Sequence, residues 1–192
     1  MNKDYELVLL AAGHGRRMRA SKNKILLPLL NKPLIEYPLN VFLKDDYCSH
    51  IILVVKEDEV ELIHDGARPF IEQTAIRQLY EEVQKIGAAI LGVPAKDTIK
   101  AVYPDHTVKV TLPRSELWQI QTPQAFESSL VLQAHEKART DHFLGTDDAS
   151  LVERIEKEIR VIEGSYDNIK ITTPEDMVAG EAILLHREQQ SK

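Results

Sequence analysis

Residues Leu10–Lys24 read LAAGHGRRMRASKNK, a glycine turn that leaves an apolar run and passes at once into Arg16, Arg17, Arg19, Lys22 and Lys24. Gly13 and Gly15 let the backbone bend sharply, and the preceding Glu6–Leu10 has the make-up of a buried parallel strand. A turn at the carboxyl end of a strand, with free backbone N–H groups and gathered positive charge, suits a polyphosphate. A solvated basic loop is the plainer alternative. Against it stands a formal net charge of −6, because an acidic chain with five cations in nine positions focuses charge locally. Two common phosphate loops are excluded: Met18 holds the third glycine position of a dinucleotide fingerprint, and no Gly-x-x-x-x-Gly-Lys-Ser/Thr string occurs.

Further candidates follow. His64–Asp65–Gly66–Ala67–Arg68–Pro69 comes after the apolar run Val60–Ile63. An Asp at the end of a central strand beside a glycine can ligate Mg²⁺ or contact a ribose, or it can cap a turn and pair with Arg68. His64 has no second His or Cys at metal spacing, so a buried, hydrogen-bonded ring is expected. Gln121–Thr122–Pro123–Gln124 reads as a rigid polar turn. In Gly145–Thr146–Asp147–Asp148–Ala149–Ser150 the Thr and Asp side chains can cap a helix whose N-terminus attracts anions. Asp167–Thr172 reads as a short strand in which Lys170, taken alone, is a surface lysine.

These residues need a scaffold, and the composition supplies one. The chain has 192 residues, 43% hydrophobic and 28% charged, enough for one domain with a good core. No run of eighteen apolar residues occurs and Met1–Glu6 carries no apolar signal region, so neither a membrane span nor a targeting segment is expected. One cysteine, Cys48, fits a cytoplasmic protein and reads as an incidental thiol. The acidic balance disfavours nucleic acid.

Apolar runs alternate with helical patterns, which points to an α/β fold with helices on both sheet faces. Strands are expected at Glu6–Leu10, Ile51–Val55, Val60–Ile63, Ala88–Val93 and Ile159–Ile162. Helices are expected from near Pro33, bent at Pro38, then over Thr74–Lys85 with Gly87 as its cap, Ser128–Arg139, and Thr173–Arg187. Asp97–Trp118 carries two β-like stretches around Pro104–Asp105–His106 and too few apolar faces for a core of its own. It reads as a projecting hairpin that rests on a second subunit. One spacing resists the scheme: Lys56–Glu59 is too short for a parallel crossover, which needs about a dozen residues. The two runs are one bent strand or a hairpin, or a crossover is absent.

The strings LAAGHGRRM, KNK, HDGARPF, KDTIK, RSELW, QTPQAF, GTDDASLVE and GSYDNIKITTPED together resemble the 2-C-methyl-D-erythritol 4-phosphate cytidylyltransferase family of non-mevalonate isoprenoid biosynthesis, in the family's order and across nearly the whole chain. The related ribitol-5-phosphate cytidylyltransferases usually carry a Gly-Gly pair where Ala12–Gly13 stands, and a different aspartate motif. The resemblance implies a single Rossmann-like domain, with a mostly parallel twisted sheet flanked by helices and a β-hairpin dimerisation arm at about 97–118. It implies that a phosphate oxygen of methylerythritol phosphate attacks the α-phosphorus of CTP in line and pyrophosphate leaves, with Mg²⁺ as cofactor. By the same resemblance Arg17, Lys24 and Lys170 contact the CTP phosphates and carry the catalysis. Ala11, Ala12, Gly13, Gly15, Asp65 and Gly66 bind the nucleotide, and Asp65 also lies near Mg²⁺. Thr98, Arg114, Thr146 and Arg68 serve the acceptor, with Thr98 and Arg114 reaching the partner subunit's substrate in a homodimer. Relatives carry roughly forty residues where this chain has Lys56–Glu59, well past the crossover minimum. That segment touches cytosine and ribose in the family, so no base-contacting residue is named from it here. It is deleted from this protein or absent from the sequence printed above. Without it, a non-catalytic nucleotide-binding module is the alternative function.

Overall fold

The computed structural model describes residues 5–10, 25, 27–54 and 64–190. The glycine loop with Ala11, Ala12, Gly13, Gly15, Arg17 and Lys24, and the strand expected at Val60–Ile63, lie outside the described residues.

In chain order the first elements are β1 (Tyr5–Leu10), β2 (Pro28–Leu29), β3 (Lys32–Pro33), α1 (Glu36–Phe42), β4 (Cys48–Val54), α2 (Gln73–Ile86) and β5 (Ala88–Pro94). There follow β6 (Lys100–Val102), β7 (Val108–Thr111), a 3₁₀ turn at Arg114–Glu116, β8 (Trp118–Phe126), α3 (Ser128–Thr140), α4 (Asp148–Glu153), β9 (Arg160–Glu163) and α5 (Pro174–Gln190). Strands β1 and β4 pair in parallel, with Leu7 opposite Ile51. Strand β5 is the centre of a three-stranded sheet, parallel to β9 and antiparallel to β8.

The side-chain alternation of β5 explains why helices cover both of its faces. Ala88 packs with Leu130, Ala134 and Ala138 of α3 and with Leu151 and Val152 of α4. Ala89 and Leu91 point the other way, into a cluster with Leu7, Leu9, Phe42, Ile71, Ile76 and Leu79. A strand buried on both sides reads as an unbroken apolar run, as Ala88–Val93 does. Helix α2 ends as its sequence asks, with Gly87 at φ 86° and its N–H on the Val83 carbonyl at 2.8 Å.

Several expectations need correction. Pro33 pairs with Pro28 in the β2–β3 ribbon instead of opening a helix, and α1 begins at Glu36. Pro38 then falls in the first turn of α1, where backbone N–H groups have no partner to lose, so it does not act as a bend. Gln121–Gln124 is not a turn but the middle of β8. Its register shifts between Ile90, opposite Gln124, and Leu91, opposite Gln121. Thr122 and the cis-linked Pro123 fill that bulge, where a residue without an N–H breaks no ladder bond. Asp167–Thr172 is not a strand: a turn at Tyr166–Asp167 leads into chain without regular structure, held by a bond of 2.7 Å from the Ile171 N–H to the Ala67 carbonyl.

The hairpin was expected and is present. Strands β6 and β7 pair antiparallel across a turn in which His106 adopts φ 66°, and Asp105 Oδ1 accepts from Thr107 N (3.0 Å) and Oγ1 (2.7 Å). Val102, Tyr103, Val108 and Val110 on it are about half exposed. Among the described residues no helix is long and apolar enough to cross a membrane.

Candidate active site

Four separated motifs meet where β8 bulges. The His64–Arg68 turn is closed on itself. Asp65 Oδ1 accepts from Ala67 N–H at 3.0 Å, and the Asp65 carbonyl accepts from Arg68 N–H at 2.8 Å. Its leading corner is pinned to β8, because Asp65 N–H donates to Thr122 Oγ1 at 3.3 Å. The turn thus holds the Asp65 carboxylate in one orientation, with Oδ2 lying 2.5 Å from Lys170 Nζ.

The segment bearing Lys170 is clamped on both sides of that residue. Upstream, the Asn168 carbonyl accepts from Arg68 Nη1 at 2.7 Å, and Asn168 Nδ2 donates to the Thr122 carbonyl (3.1 Å) and to Gln121 Oε1 (3.3 Å). Downstream, Asp176 Oδ2 accepts from the backbone N–H groups of Thr172 and Thr173 at 2.7 and 2.8 Å, which also caps α5. Burial works against ionisation of Asp176, but these hydrogen bonds outweigh it and hold its pKa below the usual carboxylate value.

Lys170 is the open member of the ion pair: its side chain is 46% exposed, against 17% for Asp65. A lysine whose flanking backbone is clamped, and whose ammonium rests on one carboxylate while the side chain stays half open to solvent, can turn that charge toward an arriving phosphate. Arg68 is used differently. Its guanidinium reaches the Asn168 carbonyl and, at 3.4 Å, that of Ile120, so it joins the turn, β8 and the Lys170 segment. Burial lowers its pKa against a smaller opposing effect of Asp65. His64 is fully buried, edge-on to Phe42 at 5.6 Å between ring centroids, and burial pushes its pKa down to about 4. The ring is neutral and structural, as its sequence context suggested.

The GTDDAS motif joins through β8. Asp147 caps α4 by accepting from Ser150 N–H at 2.9 Å, and Gln124 bridges to the same corner, donating to Asp147 Oδ2 at 2.7 Å and accepting from Ala149 N–H at 3.1 Å. Thr146 stands exposed beside that cap, and Gly66 is buried in the Asp65 turn. Thr98 and Arg114 belong to the base of the hairpin. Both are exposed, and Arg114 donates to the Lys96 carbonyl at 2.8 Å. The structure gives neither a contact with Asp65 or Lys170.

Four residues that carry this geometry, Gln121, Thr122, Gln124 and Asn168, had no assigned role in the sequence. The signal for them is the density of amides and hydroxyls in strings otherwise fit for burial: Gln121 and Asn168 are 6% and 2% exposed. Among the described residues no group of three His, Cys, Asp or Glu is arranged around a metal position. Among the described residues, the Asp65 carboxylate by itself does not make a closed cage. It suits a hard cation shared with phosphate oxygens that keeps much of its water, as Mg²⁺ does.

The chain matches the family model described as 2-C-methyl-D-erythritol 4-phosphate cytidylyltransferase over residues 6–62 and 56–186. It belongs to that family. A 2-C-methyl-D-erythritol 4-phosphate cytidylyltransferase of Halalkalibacterium halodurans is 40% identical over 227 positions, covering 97% of this chain and 99% of the relative. One from Geobacillus kaustophilus is 43% identical over 225 positions, covering 96% and 98%. The crystal structure of 4-diphosphocytidyl-2C-methyl-D-erythritol synthase from Anaerococcus prevotii superposes with a TM-score of 0.81 at 26% identity, over 96% of this chain and 100% of that one. The α/β fold expected from the sequence is therefore the family fold. An alignment of 227 positions on a chain of 192 residues leaves at least 35 positions of the relative with no counterpart here. The family match falls into two segments that overlap at residues 56–62, the place where the sequence left no room for a crossover.

Proposed function

We propose that this chain transfers a cytidylyl group from CTP to 2-C-methyl-D-erythritol 4-phosphate and releases pyrophosphate, a step of isoprenoid biosynthesis. Family membership gives the reaction. The observation that ties it to this chain is the Asp65–Lys170 pair of 2.5 Å, assembled from two distant motifs and open on the lysine side. In our reading an acceptor phosphate oxygen attacks the α-phosphorus in line. Lys170 donates hydrogen bonds to the α-phosphate oxygens as their charge grows, and Arg17 and Lys24 do so from the glycine-turn side, with Ala11, Ala12, Gly13 and Gly15 supplying backbone N–H groups. Mg²⁺, when bound, offsets phosphate charge, and Asp65 is the residue that would hold it. Thr146, together with Thr98 and Arg114 of a partner subunit, receives the acceptor, since an arginine fork suits its phosphate. Arg68 acts through the segment that it holds. The half-exposed apolar side chains of the hairpin support the homodimer. The acidic chain, with its single cysteine, fits a cytoplasmic enzyme acting on small molecules.

The test is pyrophosphate release from CTP and methylerythritol phosphate with Mg²⁺, with kcat/KM compared against ribitol 5-phosphate to settle the acceptor. A second reading, a module that binds the nucleotide without turning it over, is favoured only by the division of the family match into two segments at 56–62. Calorimetric CTP binding with no pyrophosphate release decides for it.

A further inference from the structure

The bonds around His64 have a fixed direction. Its Nε2 lies 3.0 Å from the Arg68 carbonyl, which only accepts, so Nε2 carries the proton. The neutral ring then offers Nδ1 as an acceptor, 3.0 Å from Thr122 Oγ1. The Thr122 hydroxyl must donate its one proton to that nitrogen, while its oxygen accepts from Asp65 N–H at 3.3 Å. Asp65 N–H, Thr122 O–H and His64 Nε2–H therefore run in one sense and end on the Arg68 carbonyl. The side chain of His64 spans the turn from its first residue to its fifth. Arg68 in turn donates to the Asn168 carbonyl at 2.7 Å, two residues before Lys170.

We propose that His64 is a positioning residue for the transfer reaction: as the Nε2–H tautomer it fixes, through Thr122 on one side and Arg68 on the other, both members of the Asp65–Lys170 pair. The Thr122 hydroxyl is committed inward and offers its proton to the protein, not to substrate. This inference rests on the reading of Asp65 and Lys170 as the reacting site, and its first test does not depend on activity. Nitrogen NMR of the folded protein near neutral pH is expected to show His64 with Nε2 protonated and Nδ1 accepting a hydrogen bond. The Nδ1–H tautomer overturns the inference whether or not the protein turns over CTP.

The kinetic arm uses His64→Leu and His64→Gln. Leu removes both bonds, and misplacement of reacting groups by about 1 Å costs on the order of 10²-fold. His64→Leu is thus expected to lower kcat about 10- to 100-fold with KM for CTP and acceptor within about threefold. His64→Gln keeps one donor and one acceptor and is expected to recover most of that loss. A His64→Leu variant that is merely less stable, with normal kcat in its folded fraction, shows that the ring only fills space. Where the Leu variant fails to fold, Thr122→Val and Thr122→Ser replace the pair. Val is expected to lower kcat and Ser to restore it. A Val variant that raises only the acceptor KM instead marks the hydroxyl as a substrate contact and overturns the proposal.

Discussion

Replacing Lys170 by Gln separates a catalytic lysine from a surface ion pair, because the two roles predict losses of different size in different measurements. The pair is close, but the lysine is nearly half exposed, so solvent screens it and its contribution to stability is about 1 kcal/mol or less. For a chain of this length that shifts Tm by about 2–4 °C at most. A charge contact made in the transition state is worth far more: losing one such donor costs about 10²- to 10³-fold in kcat, roughly 3–4 kcal/mol. The backbone clamps at Asn168 and Thr172 do not involve the ammonium, so the segment keeps its course in the variant. The assay is initial-rate pyrophosphate release at saturating CTP and acceptor, with thermal unfolding measured alongside. The expected outcome is a kcat loss of at least about 10²-fold with Tm almost unchanged. A variant within about threefold of the parent kcat, or one whose loss follows its unfolding, refutes the role given to Lys170.

Lys24→Ala is expected to lose at least about 10²-fold in kcat for the same reason, and near-full turnover would remove Lys24 from the mechanism. Arg68→Ala leaves the Asn168 and Ile120 carbonyls without their donor, which is expected to cost roughly 2–3 kcal/mol and about 5–10 °C in Tm, read by calorimetry. Acid stability carries the mark of His64. Its folded pKa of about 4 lies below the ordinary 6.5, so above pH 6.5 its titration leaves stability almost unchanged, and as pH falls toward 4 the unfolded chain binds a proton that the folded one refuses. Roughly 3 kcal/mol is lost across that window, so the stability gap between the parent and His64→Gln should shrink from pH 7 to pH 4.5 in urea unfolding; a constant gap contradicts the buried neutral ring. The hairpin predicts a dimer by light scattering at micromolar concentration, and a stable monomer would leave Val102, Tyr103, Val108 and Val110 without the partner assigned to them.

What the sequence showed and what it hid follow from the range of the interactions. Apolar runs buried on both faces, such as Ala88–Val93, and ends set by local chemistry, such as Gly87 after α2 and the start of α5 beside Thr173, were legible because their causes lie within a few residues. Strand β8 was hidden because Pro123 argues against a strand, and the bulge that accommodates it depends on pairing with β5, some thirty residues earlier in the chain. The start of α1 was misplaced because Pro33 suits a first helical turn as well as the ribbon it makes with Pro28. Asp65 and Lys170 could each be singled out as candidates. Their meeting was not visible from either motif, since it runs through Arg68, Asn168 and Thr122 across long sequence separations. The short Lys56–Glu59 link, by contrast, signalled by length alone the place where the family match divides into two segments.

The account stands on Lys170 presenting its charge to the α-phosphate from its seat on Asp65. A crystal structure of this protein with CTP and Mg²⁺ tests that most directly. It should show α-phosphate oxygens at hydrogen-bond distance from Lys170 Nζ, about 2.7–3.2 Å, with Arg17 and Lys24 on the remaining phosphates. Phosphates bound away from all three cations, with Lys170 still closed on Asp65, would contradict it.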